Sequence, residues 1–200
     1  MKKKYKVFAL VGPSGCGKDT ILRTLLKKYN KTQKFNPIIS YTTRPMREGE
    51  KDGVDYHYTD NDTMINFFNE NTIVEMAEFN NWFYGTTYEC YDDTKINIGI
   101  FDPTRLDILL SNPDIEVTIF YIKTKDNIRL IRQLGREDDP DIDEILRRYK
   151  TDREDFYGIE GEYGDRMVTL ENNNKLHLHT AVLTLLYVAG TGQKKIIQYL

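Results

Sequence analysis

Gly12-Pro13-Ser14-Gly15-Cys16-Gly17-Lys18-Asp19-Thr20 lies between an apolar run, Tyr5 to Val11, and a segment from Lys18 to Tyr29. In that segment Ile21, Leu22, Leu25 and Leu26 recur at helical spacing. Strand, glycine loop and helix form the opening unit of an α/β fold with a parallel sheet. The stretch fits G-x-x-x-x-G-K. Its glycines let backbone N–H groups turn inward around phosphates, and the helix N-terminus adds the positive end of its dipole. Gly12, Ser14, Gly15, Cys16, Gly17, Lys18, Asp19 and Thr20 are therefore candidate nucleoside-triphosphate-binding residues, with Lys18 reaching the β- and γ-phosphates. Asp19 stands where a hydroxyl ordinarily ligates Mg²⁺. A carboxylate is also a hard oxygen donor, so Asp19 is the candidate Mg²⁺ ligand.

Outward from the loop, Ile38–Ser40 reads as a short strand, and Val54–Tyr58, Thr72–Phe79 and Trp82–Thr87 look β-like. A helix carrying Met64, Ile65, Phe67 and Phe68, capped by Asp60 or Thr59, interrupts them, and Asn80-Asn81 suits a hairpin turn. The parallel pattern resumes at Ile96–Phe101, then a helix from Thr104 to Leu110 and the strand Glu116–Ile122. Helices over Asp126–Leu134 and Asp141–Phe156, a strand over Arg166–Leu170 and a helix over Leu176–Val188 complete it. The expectation is one α/β domain over residues 1–200, its P-loop NTPase-type sheet of five parallel strands flanked by helices on both faces. Its core spans about 1–39, 91–131 and 156–200, with a small mixed insert at 40–90 and a helical lid at 132–155.

The chain has 200 residues, 40% hydrophobic and 30% charged, a normal globular balance long enough to bury a core without staples. A net charge of −3 supplies no bulk positive field for nucleic acid or an acidic membrane. Cys16 and Cys90 form no disulfide framework and no zinc spacing, which suits a reducing compartment. Lys2–Lys4 ahead of Val7–Val11 mimic a leader, but that apolar run is too short for one. No stretch approaches the ~20 apolar residues of a spanning helix. The chain reads as soluble and cytoplasmic. Residues after Gly192 carry no functional signal.

Two further constellations carry chemistry. Ser40-Tyr41-Thr42-Thr43-Arg44-Pro45-Met46-Arg47-Glu48-Gly49-Glu50 runs on to Gly53 and Asp55-Tyr56. Its two arginines flank a stiffening proline, and planar guanidinium groups suit bidentate capture of phosphate. Glu75-Met76-Ala77-Glu78-Phe79 is followed by Trp82-Phe83-Tyr84-Gly85-Thr86-Thr87. With the glycine loop, these stretches resemble guanylate kinases: a loop beginning G-P-S-G, an S-x-T-T-R-x-x-R-x-G-E segment ending in G-x-x-Y, and an E-x-A-x-F…Y-G-[ST] hairpin. Spacings agree without an indel from Ser40 through Thr86, and a weaker likeness continues to about residue 190.

The resemblance implies phosphoryl transfer from ATP, with Mg²⁺, to GMP or dGMP, in a monomer or homodimer without nucleic-acid or membrane partners. It places Ser40, Glu75 and Thr86 against guanine, and Arg44, Arg47, Tyr56 and Tyr84 on the monophosphate. Asp102 matches one acidic position of the family's D-x-D segment; the other is Ile100 here, and the Q-G that usually follows is Thr104-Arg105. Arg132, Arg136 and Arg147 resemble the lid arginines, and Lys18, Arg44, Arg136 and Arg147 are the expected catalytic set. Lid and insert would close to bring the nucleotides together. Gly-Lys-Asp at the loop is also similar to ribose 1,5-bisphosphate phosphokinases. Guanylate-kinase-like scaffold domains bind peptides on the same fold without catalysis.

Overall fold

The structure is a computed structural model that describes residues 5–47, 49–79, 81–136 and 138–193. The elements run β1 (Tyr5–Val11), α1 (Lys18–Tyr29), β2 (Phe35–Pro37), β3 (Tyr41–Thr42), β4 (His57–Tyr58), α2 (Asn61–Asn69), β5 (Ile73–Phe79) and β6 (Trp82–Thr87). They continue through β7 (Ile96–Ile100), α3 (Pro103–Ser111), β8 (Ile115–Lys123), α4 (Asp126–Leu134), α5 (Ile142–Asp155), α6 (Ile159–Tyr163), β9 (Met167–Glu171) and α7 (Lys175–Thr191). A five-stranded parallel sheet has the order β2-β7-β1-β8-β9, and a four-stranded sheet the order β4-β3-β6-β5. The expected P-loop α/β class is what the chain adopts.

Two compact units are distinguished. One comprises Met1–Phe8 with Gln33–Val117, the other Ala9–Thr32 with Thr118–Leu200. In the first, β3 pairs antiparallel with β6 and parallel with β4, while β5 and β6 form a hairpin. Phe79 pairs with Trp82, so the connection is two residues long, and Asn81 takes φ +62. Asn80, the other half of the expected turn, lies outside the described residues. Asp60, not Thr59, caps α2, accepting from the Thr63 amide at 2.8 Å. Met64, Val74, Phe101, Leu106 and Leu109 fill this unit's core. In the second, β9 runs parallel to β8 in register from Met167 opposite Ile119 to Glu171 opposite Lys123. Ile21, Leu25, Ile119, Ile122, Val182 and Leu185 are fully buried there.

Two expected strands differ. The ladder near residue 38 lies earlier, with Phe35, Asn36 and Pro37 opposite Ile96, Asn97 and Ile98, so Ile38–Ser40 is the link between β2 and β3. Only His57 and Tyr58 of the expected Val54–Tyr58 strand are β. Lys51 O accepts from the amides of both Val54 and Asp55, which turns the chain before it can extend. Among the described residues no helix is long and apolar enough to cross a membrane.

Candidate functional site

The glycine loop belongs to the second unit. Gly15 and Gly17 sit at φ +77 and +97, which favours glycine. Gly15 is also constrained by space, because an added Cβ would stand 2.7 Å from the Arg129 carbonyl oxygen. Lys18 begins α1 and turns back over the loop, its Nζ donating to Gly12 O and to Pro13 O. Arginines from α4 hold the outer side of the loop. Arg129 Nε donates to Ser14 O at 2.9 Å, and Arg132 Nη1 to Gly15 O at 3.4 Å and Cys16 O at 3.3 Å. Asn172 Nδ2 adds a bond to Cys16 O at 2.8 Å. Asp152 of α5 accepts from the Ser14 amide at 2.9 Å and from Arg129 Nη2 at 2.7 Å. A carboxylate thus rests on one amide of the loop, which is the contact an anion makes there.

Of the arginines expected near this loop, Arg132 is bonded to it. Arg136 is exposed, and exposed Arg147 clasps Glu144 through Nε at 2.6 Å and Nη2 at 2.9 Å. Asp19 and Thr20 are exposed in the first turn of α1. Arg129, Asp152 and Asn172 were not singled out from the sequence. The one available signal was Arg129 and Arg132 three apart on one helix face.

The first unit gathers the other candidates. Arg44 is buried, and its Nη2 donates to Glu50 Oε1 and Oε2 at 2.8 and 2.9 Å. Glu50 also accepts from the Arg47 amide at 2.8 Å and from Tyr58 Oη at 2.7 Å. The Arg44 guanidinium lies 5.4 Å from the Tyr56 ring centroid, and the Tyr56 and Tyr84 rings meet edge-on at 5.9 Å. The Arg47 side chain is exposed. Arg44, Tyr56 and Tyr84 therefore form one cluster, to which Glu50 and Tyr58 are additions. Burial alone would push the Glu50 carboxyl up, but the bonds from Arg44, the Arg47 amide and Tyr58 hold it at about 2.

That depression has a sign. The folded value lies below the unfolded one of about 4.3, so the stabilisation is complete above pH ~5 and is lost as pH falls toward 2. The expected result is that wild type and Glu50→Gln differ in unfolding midpoint at pH 6 and that most of this gap has closed by pH 2.5. Equal gaps at both pH values would dissociate Glu50 from the clasp.

Glu75, Ser40 and Thr86 come together as expected, with a partner that was not. Glu75 is completely buried on β5 and Arg105 is 4% exposed in the first turn of α3. Arg105 Nε and Nη2 donate to Glu75 Oε2 and Oε1, both at 2.6 Å, and Nη2 also donates to Ser40 Oγ at 2.9 Å. Thr86 Oγ1 donates to Glu75 Oε1 at 2.8 Å. Because that uses the single Thr86 proton, Tyr91 Oη, also at 2.8 Å, donates to Thr86. Burial raises the Glu75 carboxyl, and the doubly bonded guanidinium opposes that rise. Asp102 is the N-cap of α3, accepting from the Arg105 amide at 2.9 Å, so it places Arg105. Among the described residues no group of three His, Cys, Asp or Glu side chains could hold a metal ion.

A family model described as guanylate kinase matches residues 4–174. A guanylate kinase of Mycoplasma genitalium is 31% identical over 160 residues, covering 78% of this chain and 65% of its own length. One from Legionella pneumophila is 30% identical over 164 residues, 78% of this chain and 75% of its own. One from Helicobacter hepaticus is 43% identical over 84 residues, 42% of this chain and 40% of its own. The matches thus span less than two-thirds of the Mycoplasma and Helicobacter proteins. The crystal structure of guanylate kinase from Anaplasma phagocytophilum shares the fold, with a TM-score of 0.62 at 18% identity over 98% of this chain and 89% of that one.

Proposed function

The chain belongs to the guanylate kinase family, and we propose from that premise that it transfers the γ-phosphoryl group of ATP to GMP or dGMP. The observation that carries this reading is that Ser40, Glu75 and Thr86 meet in one buried cluster, while Arg44, Tyr56 and Tyr84 form another in the same unit. Glu75 holds a planar N–C–N edge between its two oxygens, the kind of edge that guanine presents with N1–H and N2–H about C2.

In the reaction a GMP phosphate oxygen attacks the γ-phosphorus, a new P–O bond forms, and the bond to the β-phosphate oxygen breaks to release ADP. The attacking group has a second pKa near 6, so it is ionised at neutral pH and needs no general base. Catalysis is then positioning and charge neutralisation. The amides of the 12–20 loop cradle the triphosphate and Lys18 leaves its carbonyl partners for the β- and γ-oxygens. Arg44 and Arg47, with Tyr56 and Tyr84, hold the acceptor phosphate. Ser40, Glu75 and Thr86 line the base site, and Asp102 sets the helix beneath it. Arg136 and Arg147, both exposed, supply cations to the triphosphate, while Arg132 stays on the loop carbonyls. Asp19, an exposed carboxylate in the first turn of α1, has the hard oxygen donors that Mg²⁺ takes. One such ligand is enough when phosphate oxygens and water complete the shell, and the ion would neutralise charge developing on the phosphates. Two free cysteines and the absence of a membrane-spanning helix among the described residues fit a cytoplasmic location.

The test is a coupled ADP-release assay with Mg·ATP and GMP, dGMP, AMP, CMP, UMP or ribose 1,5-bisphosphate as acceptor. Turnover with GMP and dGMP, and little with AMP or the pyrimidine nucleotides, is the expected result. Turnover with the sugar bisphosphate alone would replace the reading. ATP binding without turnover on any acceptor would leave a binding domain.

A further inference from the structure

The N–C–N edge on Glu75 belongs to the chain itself. Arg105 occupies both carboxylate oxygens, and Thr86 takes a further position on Oε1. Guanine would need the same two oxygens, in line, for N1–H and N2–H. Two forks cannot share one carboxylate edge, and the competition is unequal. Arg105 brings a full positive charge against a neutral base, at 2.6 Å on both oxygens, in a setting where both partners are desolvated. Its position is fixed from three further sides. Asp102 accepts from its backbone amide, Ser40 Oγ accepts from Nη2, and the Phe101 ring centroid lies 5.2 Å from Cζ. Displacing it would leave a buried cation without its counter-charge.

We propose that Arg105 determines the base specificity of the acceptor site by withdrawing Glu75 from the reading of the purine 2-amino group. This rests on the assignment of an acceptor purine to the site of Ser40, Glu75 and Thr86. What remains for the base is a site rich in donors. Ser40 Oγ accepts from Arg105 and keeps its own proton to donate, and the guanidinium carries N–H groups beyond the two on Glu75. Donors suit the O6 and N7 acceptors of a 6-oxopurine and oppose the N6 amino group of adenine. The acceptor class is therefore 6-oxopurine nucleoside monophosphates, with IMP used nearly as well as GMP.

The experiment is kcat/KM for GMP and for IMP, with Mg·ATP, on wild type, Arg105→Lys, Arg105→Gln and Glu75→Gln, backed by calorimetric binding of both nucleotides and a thermal melt of each protein. Lysine keeps the buried charge but not the fork, so it serves even where the glutamine variant does not fold. The expected GMP:IMP ratio is below about tenfold in wild type and stays within about twofold in Glu75→Gln. It rises about tenfold or more in Arg105→Lys or Arg105→Gln, the range of one base-edge pair, through a lower KM for GMP. A purely structural role would move both nucleotides together. A wild-type ratio above about a hundredfold that collapses in Glu75→Gln would show that Glu75 reads guanine directly, and would overturn the proposal while leaving GMP as the acceptor. Failure of every folded protein to bind or use either nucleotide would overturn the proposal together with the acceptor assignment.

Discussion

Lys18→Ala is expected to lower ATP-dependent phosphoryl transfer by about 10³-fold, the scale of losing one preorganised charge at developing phosphate charge. The side chain makes its oxygen contacts with Gly12 O and Pro13 O, within its own loop, so the fold loses little when it is cut back. The loss therefore appears in turnover, measured by ADP release at saturating GMP, and not in the unfolding midpoint. The loop amides still attract the triphosphate, so calorimetric ATP affinity falls far less than kcat. Full activity in the alanine variant would sink the assignment of the loop, because no other cation bonded at the loop projects from the first turn of the following helix. The arginines there, Arg129 and Arg132, come from α4 and bond to carbonyls on the outer side.

Glu75→Ala is expected to cost about 3–5 kcal/mol in stability, because it leaves Arg105 buried and uncompensated. Few single substitutions reach this size, and here the mechanism is specific. Glu75 is fully enclosed, Arg105 is 4% exposed, and the bonds between them are the shortest of the cluster. Urea unfolding of wild type, Glu75→Ala and the double variant Glu75→Met/Arg105→Leu measures it. The double variant is expected to recover most of the loss, since an apolar pair of similar volume avoids the desolvation that the ion pair must overcome. A loss below about 1 kcal/mol in Glu75→Ala would mean that water reaches the pair and that it behaves as a surface bridge.

Much of this architecture was legible from the sequence, for identifiable reasons. The strand, loop and helix around residues 12–20 are set by glycines and a helical stripe, both local signals. Trp82–Thr87 and Asp126–Leu134 have the predicted bounds, and the two-residue connection between Phe79 and Trp82, with Asn81 at φ +62, follows from turn chemistry. Ser40, Glu75 and Thr86 were grouped by resemblance and do meet. Arg105 could not be foreseen, because its partner lies 30 residues earlier and the pairing depends on how α3 packs on β5. The substitution at Thr104-Arg105 was visible, but not what the arginine touches. Helix α4 misleads in another way. Its Ile131 and Leu134 are exposed, while Arg129 and Gln133 are buried, so a reading that sends apolar residues inward inverts it. Arg129 and Arg132 bond a backbone loop, and that task calls for donors.

The carbonyls of Ser14, Gly15 and Cys16, fastened to Arg129, Arg132 and Asn172, have a consequence for the opposite side of the loop. In a trans peptide the C=O of one residue and the N–H of the next point in opposite directions. Fixing three successive carbonyls outward fixes the orientation of the amides that follow, before any phosphate arrives. The entropy of ordering those peptide planes, about 1–2 kcal/mol for each residue, is then a cost of folding and not of binding. On the proposed reading, helix α4 would thereby contribute to nucleotide affinity from behind the loop: its arginines would act on the ligand by removing the disorder that the ligand would otherwise have to suppress.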